Sequence, residues 1–273
     1  MFIKLYGTRG SIPVSNKQIL KYGGNTTCVY IEASSGESVI IDAGTGIRAL
    51  GSLLIKNKRN KLNLIFTHYH WDHIQGLPFF APIYLKNSVI NIYGPKNEVT
   101  VKKALSYQMT KPFFPTVTLD SLASKITFKD LKNSLRIGSL KINTIINNHP
   151  NYTVGLKFTE KNNSVAFLTD NELFAENGRT LYKNFVKFIK DAIFLIHDAQ
   201  YTDEIYKRGW GHSTYKQVMM LAKDAGVKNV MFTHHDPHSG SDKFIDNALK
   251  SMRKKFPEFN IKAAAEGNTI ILR

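Results

Sequence analysis

Apolar residues gather along this chain in short bursts, each cut off by glycine, asparagine or lysine. In the first half the runs 2–7, 28–34, 38–42 and 62–66 are rich in Ile, Val, Leu and aromatics and predict strands. Further along, 89–93, 141–147, 154–158, 165–168, 192–196, 227–232 and 261–265 read the same way. Between these runs the apolar spacing widens to a helical period over 44–56, 97–109, 180–190, 213–225 and 242–255. The second of these helices leads into Gln108-Met109-Thr110-Lys111-Pro112-Phe113-Phe114-Pro115, where two prolines end it and leave aromatics in a loop. A substrate lid and a homodimer contact are both compatible with that loop. No repeat, low-complexity tract or linker divides the chain, so residues 1–273 are read as one domain.

Polar chemistry sits where strands end. Phe66 gives way to Thr67-His68, Leu168 to Thr169-Asp170, Ile196 to His197-Asp198, and Phe232 to Thr233-His234. Rigid strands commonly support reactive groups on the loops that leave them. The densest such loop, Thr67-His68-Tyr69-His70-Trp71-Asp72-His73, offers more imidazole and carboxylate donors than one tetrahedral ion takes from a single loop. Two metal ions account for the excess. His68, His70 and His149 then serve one ion, and Asp72, His73 and His234 the other, with Asp170 between them. A carboxylate there offsets the repulsion of two cations, and a water trapped beside them loses a proton near neutral pH.

Composition narrows this reading. A hydrophobic content of 42% and 11% aromatics suffice for a real core and exclude disorder. A single cysteine, Cys28, precludes an internal disulfide and is read as a buried apolar thiol in a reducing compartment. The opening residues lack the charged start and apolar run of a signal peptide, and no stretch reaches membrane-spanning length. The expected location is therefore cytoplasmic, with no membrane partner. A formal net charge of +16 favours an anionic partner such as phosphate, nucleotide or RNA. Lysine and asparagine are nonetheless spread over 56–61, 181–190 and 253–255, which equally fits general compositional bias.

Residues 67–73 resemble the H-x-H-x-D-H signature of the metallo-β-lactamase superfamily, and His149, Asp170 and His234 follow in that family's order. Ile41-Asp42-Ala43-Gly44-Thr45-Gly46 resembles its first motif, with Asp42 expected to support a ligand histidine. The resemblance implies an α/β fold, an αββα sandwich of four layers with a dinuclear metal site at the sheet edge. It also implies zinc, with manganese as the alternative. Gly209-Trp210-Gly211-His212-Ser213-Thr214 is similar to an element of ribonuclease Z and related phosphodiesterases, in which the histidine assists at the scissile phosphate. On that similarity His212 is the candidate general acid or phosphate-oxygen stabiliser, oriented by Asp198, while Asp72 joins the catalytic set as a ligand. His212 alone reads equally as a loop residue beside a capping Ser213.

The opening Gly7-Thr8-Arg9-Gly10-Ser11 resembles little-characterised bacterial members of the superfamily. There Arg9 is a candidate for holding a phosphate oxygen, although a structural turn explains it as well. His197, His235 and His238 are expected to stand outside the site.

These features favour a metal-dependent phosphodiesterase acting on small cyclic or nucleotidic phosphodiesters. One alternative is a ribonuclease Z-like RNA 3′-processing endonuclease, against which stands the short stretch from Pro150 to Thr169, too small for a substrate-binding arm. Another is hydrolysis of a thioester, ester or lactam at the same centre. A nucleic-acid-binding module with a vestigial site predicts missing ligands, and none of the seven is missing.

Overall fold

The computed structural model describes residues 1–96, 99–114 and 117–272. Two seven-stranded sheets face each other, and helices cover their outer sides. The first contains β1 (Phe2–Gly7), β2 (Cys28–Glu32), β3 (Ser38–Ile41), β4 (Lys61–Ile65), β5 (Val89–Gly94), β6 (Lys125–Asp130) and β14 (Thr269–Ile271), in the order β14-β1-β2-β3-β4-β5-β6. The second contains β7 (Ser134–Ile137), β8 (Leu140–Ile146), β9 (Val154–Glu160), β10 (Asn163–Leu168), β11 (Phe194–Asp198), β12 (Asn229–Thr233) and β13 (Asn260–Ala263), in the order β13-β12-β11-β10-β9-β8-β7.

Each sheet changes character partway across. In the first, β14, β1, β2 and β3 pair antiparallel, whereas β3, β4, β5 and β6 pair parallel. In the second, β7 to β10 pair antiparallel and β10 to β13 parallel. Parallel strands send their carboxyl ends in one direction, and ligand sites form outside such ends where strand order switches.

The core explains the apolar bursts. Val39, Ile41 and Ile65 of the first sheet meet Leu156, Phe158, Val165, Phe167 and Ile196 of the second between the layers. Their neighbours point outward: Ile40, Leu62 and Leu64 pack under α1 (Ile47–Lys56), Ala166, Leu168 and Leu195 under the opposite helical layer. Central strands buried on both faces show as continuous apolar runs rather than as alternation. α2 (Trp71–Ile74) is a single turn, and α3 (Val101–Gln108) lies on the first sheet. The second sheet carries α4 (Tyr182–Ile189), α5 (Tyr215–Ala225) and α6 (Asp242–Lys255).

These layers are the expected αββα sandwich. The helix expected from 97 has its first two positions, Asn97 and Glu98, outside the described residues, as is Pro115 of the aromatic loop. Three strands escaped the pattern: β6, β7 and β14. All lie at or beside sheet edges and carry Lys125, Lys129 or Arg136, or are very short. Edge strands are kept charged or short against unwanted pairing, which removes the apolar signature. Cys28 is fully buried, as expected. α5 is capped by Thr214 rather than Ser213: the Thr214 hydroxyl accepts from the Gln217 amide while the Gln217 side chain accepts from the Thr214 amide.

Candidate metal centre

The polar groups at the strand ends converge between the two sheets. β3 leads to Asp42, β4 to His68, His70, Asp72 and His73, β8 to His149, β10 to Asp170, β11 to Asp198, and β12 to His234. Asp42, Asp170 and His234 hold left-handed backbones, with φ of 58°, 51° and 58°. Such conformations are uncommon outside glycine, each costs roughly 1–3 kcal/mol, and they concentrate at functional sites.

Among the described residues a group of Asp198, His212 and His234 stands beside two donor clusters. One joins His68, His70, His149 and Asp170; the other joins Asp72, His73, Asp170 and His234, with all donor atoms of a cluster within 4.8 Å of one another. Asp170 belongs to both. Its Oδ2 lies 3.7 Å from His68 Nε2, 3.9 Å from His149 Nε2 and 3.4 Å from His234 Nε2, while its Oδ1 lies 3.2 Å from His73 Nε2. Asp72 Oδ2 is 3.3 Å from His73 Nε2 and 3.2 Å from His234 Nε2.

The far nitrogen of four rings is held in place. Asp42 accepts from His73 Nδ1 at 2.8 Å and from both the amide and hydroxyl of Thr67. With its hydroxyl proton so used, Thr67 accepts from His68 Nδ1 at 3.1 Å. His149 Nδ1 donates to the Gly211 carbonyl at 3.1 Å and His234 Nδ1 to Gln200 Oε1 at 3.0 Å. These contacts turn each Nε2 into the cluster, where His149 Nε2 meets His70 Nδ1 at 3.1 Å and His234 Nε2 meets Asp72 Oδ2 at 3.2 Å.

Whether the residues fit divalent ions is decided by two atoms: His68 Nε2 and His73 Nε2 are buried and lack any hydrogen-bond partner. Buried polar atoms are seldom left so, and here they aim at carboxylates and other imidazoles. Burial, reinforced by His73, pushes the His68 ring well below its ordinary value, and burial takes His149 down to about 4. Burial also pulls His73 and His234 down, but Asp170 and Asp72 outweigh it and raise both. A mixed set of imidazole nitrogens and carboxylate oxygens suits divalent metal ions, and the donors fit.

Beside the clusters stands His212. Its ring stacks on His234 with centroids 4.8 Å apart, and Asp198 Oδ2 accepts from its Nδ1 at 2.9 Å. Burial raises the Asp198 carboxyl, but hydrogen bonds from His197 and His212 outweigh it and hold the group below its ordinary value.

Arg9 corrects an expectation. It is fully buried, and its guanidinium donates to the carbonyls of Gly23, Asp236 and Gly240, so none of its face meets the clusters. From the same opening segment, the Ser11 amide reaches the site instead, donating to Asp72 Oδ2 at 2.8 Å. His197 bonds the Asp198 carbonyl and Asn171, His235 bonds the Ala264 carbonyl, and His238 is exposed; all three stand outside the metal clusters. Sequence reasoning missed Gln200, whose one signal is that it follows Asp198 at the same strand end.

A family model described as the beta-lactamase superfamily domain matches residues 37–235. The chain is 23% identical to ribonuclease Z of Archaeoglobus fulgidus over 283 residues, covering 85% of this chain and 86% of that protein. It is also 23% identical to the probable metallo-hydrolase YhfI of Bacillus subtilis over 257 residues, 94% of each. The crystal structure of YhfI, a metallo-beta-lactamase fold protein, aligns over 98% of both chains with a TM-score of 0.73 and 18% identity. A diphosphatase from the PhnP family aligns over 100% of this chain and 98% of its own, with a TM-score of 0.71 and 16% identity. At such identities the two structures speak for the fold alone. The family match, by contrast, runs from β3 past β12 and encloses both donor clusters, so the chain belongs to the beta-lactamase superfamily.

Proposed function

We propose that this protein is a metal-dependent phosphodiesterase acting on small cyclic or nucleotidic phosphodiesters, and that residues 1–273 work as one unit. His68, His70 and His149 hold one divalent ion and Asp72, His73 and His234 a second, with Asp170 shared; zinc is the first choice and manganese the alternative. When bound, such a pair supplies Lewis acidity toward phosphoryl oxygens and a nucleophile at neutral pH. The protein's own part lies with His212. Asp198 holds its Nδ1 proton, which leaves Nε2 to carry the proton that the departing oxygen takes up.

The observation that carries this reading is the 2.9 Å contact between His212 and Asp198 beside His234. A histidine with its own orienting carboxylate, set against a metal cluster, is the arrangement of a general acid. The net charge of +16 agrees with an anionic substrate. Relatives named ribonuclease Z support the second reading, RNA 3′-processing, on the same residues.

A substrate panel separates these readings: bis-p-nitrophenyl phosphate, cyclic nucleotides, an RNA with a 3′ extension, and chromogenic esters and lactams. Asp72→Ala is expected to abolish turnover and lose about one metal per chain, read by elemental analysis. His212→Ala is expected to keep both metals and lower kcat about a hundredfold or more. Normal diester cleavage by His212→Ala, or turnover confined to esters, overturns the proposal.

A further inference from the structure

Glu172 follows the shared carboxylate by two residues and is buried, with 1% of its surface exposed. A carboxylate inside a protein is costly unless donors surround it. Four contacts do so: the Tyr206 hydroxyl at 2.5 Å and the Gly209 amide at 2.9 Å to Oε1, then the Gly209 amide at 3.0 Å and the Gly211 amide at 2.9 Å to Oε2. All belong to the loop just before His212.

At its two glycines that loop leans on this carboxylate. Gly209 and Gly211 have φ of 80° and 82°, and a β-carbon on Gly211 would stand 2.1 Å from His149 Nδ1. The Gly211 residue therefore has two tasks. Its amide is fixed by Glu172, and its carbonyl accepts from His149 Nδ1. On the other side of His212, the Ser213 hydroxyl donates to the Asn171 carbonyl and accepts from the Leu173 amide. The stretch 171–173 thus grips the chain on both sides of His212. The Glu172 amide completes the frame by donating to the Asn148 carbonyl, next to His149.

We propose that Glu172 is a positioning residue: through Gly211 its carboxylate sets the place of His212. The proposal rests on the reading of His212 as the proton donor to the leaving oxygen. A group acting through a general acid matters most when the leaving group is poor, since a good one departs without a proton.

The test compares Glu172→Ala and Glu172→Gln, each alone and combined with His212→Ala. Glu172→Ala is expected to retain two metals per chain by elemental analysis. Its kcat is expected to fall about tenfold or more on alkyl phosphodiesters but less than about threefold on bis-p-nitrophenyl phosphate, with KM little changed. Glu172→Gln, which keeps one acceptor oxygen, recovers part of the loss and serves if the alanine variant folds poorly. In the His212→Ala background, Glu172→Ala adds nothing. Equal losses on both substrates, or a further loss without His212, overturn the proposal. If the unaltered enzyme cleaves no diester, the functional reading fails alone. Nitrogen-15 NMR of the His212 ring then decides for Glu172: a shift in Glu172→Gln supports it, and an unchanged ring overturns it.

Discussion

Metal-binding imidazoles almost always have their other nitrogen held, and Asp42 does this for His73 while also gripping Thr67. Asp42→Asn is expected to weaken metal binding by about 10–100-fold with the fold intact, measured by competition with a chelator. Unchanged affinity shows that Asp42 only braces the backbone. Asp42 and Asp198 were legible through the motif resemblance, Asp198 also as part of the polar pair that closes the 192–196 run. Gln200 and Glu172 were not: their partners lie 34 and 37 to 39 residues away in sequence, and neither forms part of a recurring motif. Arg9 misled for the converse reason. An arginine in a glycine-rich turn has the chemistry of a phosphate ligand, and only three-dimensional proximity reveals that backbone carbonyls already surround it.

At the level of elements, the turn after β1 and the connection between β12 and α6 are joined by that arginine. Arg9→Ala removes the guanidinium donor from the buried Asp236 and Gly240 carbonyls and the half-buried Gly23 carbonyl, and is expected to cost about 2–4 kcal/mol in urea unfolding. KM for a diester stays unchanged if Arg9 has no role at the substrate; a large rise in KM at unaltered stability returns it to the binding site. Elements buried on both sides announced themselves in the sequence, as β3, β10 and β12 did, whereas β8, which leads to His149, is only partly buried. β6, β7 and β14 did not, because a half-solvated edge strand resembles a polar loop. The short Trp71–Ile74 turn was hidden inside the metal signature, whose polar residues mask any helical period.

Across the whole molecule the two sheets are tied away from the clusters as well. Glu160, at the end of β9, accepts from the Ser34 amide and hydroxyl beyond β2, from the Ser139 hydroxyl, and from the Met1 α-amino group at 2.8 Å. Burial raises this carboxyl, but those donors outweigh burial and hold it at about 2, against 4.5 ordinarily. A depressed carboxyl stabilises the fold fully above its unfolded value and loses that contribution as pH falls toward the folded one. Glu160→Gln is therefore expected to cost about 1–2 kcal/mol at pH 7, with the difference from the unaltered protein shrinking between about pH 4.5 and 2. Urea titrations at several pH values check this; a difference independent of pH refutes it.

Asp72 and His73 come from the first sheet, His149, Asp170 and His234 from the second. Whatever occupies the space among them acts as a clasp across the sandwich, binding the folded arrangement and not the loose chain. The melting temperature should then climb with the logarithm of free zinc or manganese, and a chain nicked between α3 and β6 should stay assembled until a chelator releases its two pieces.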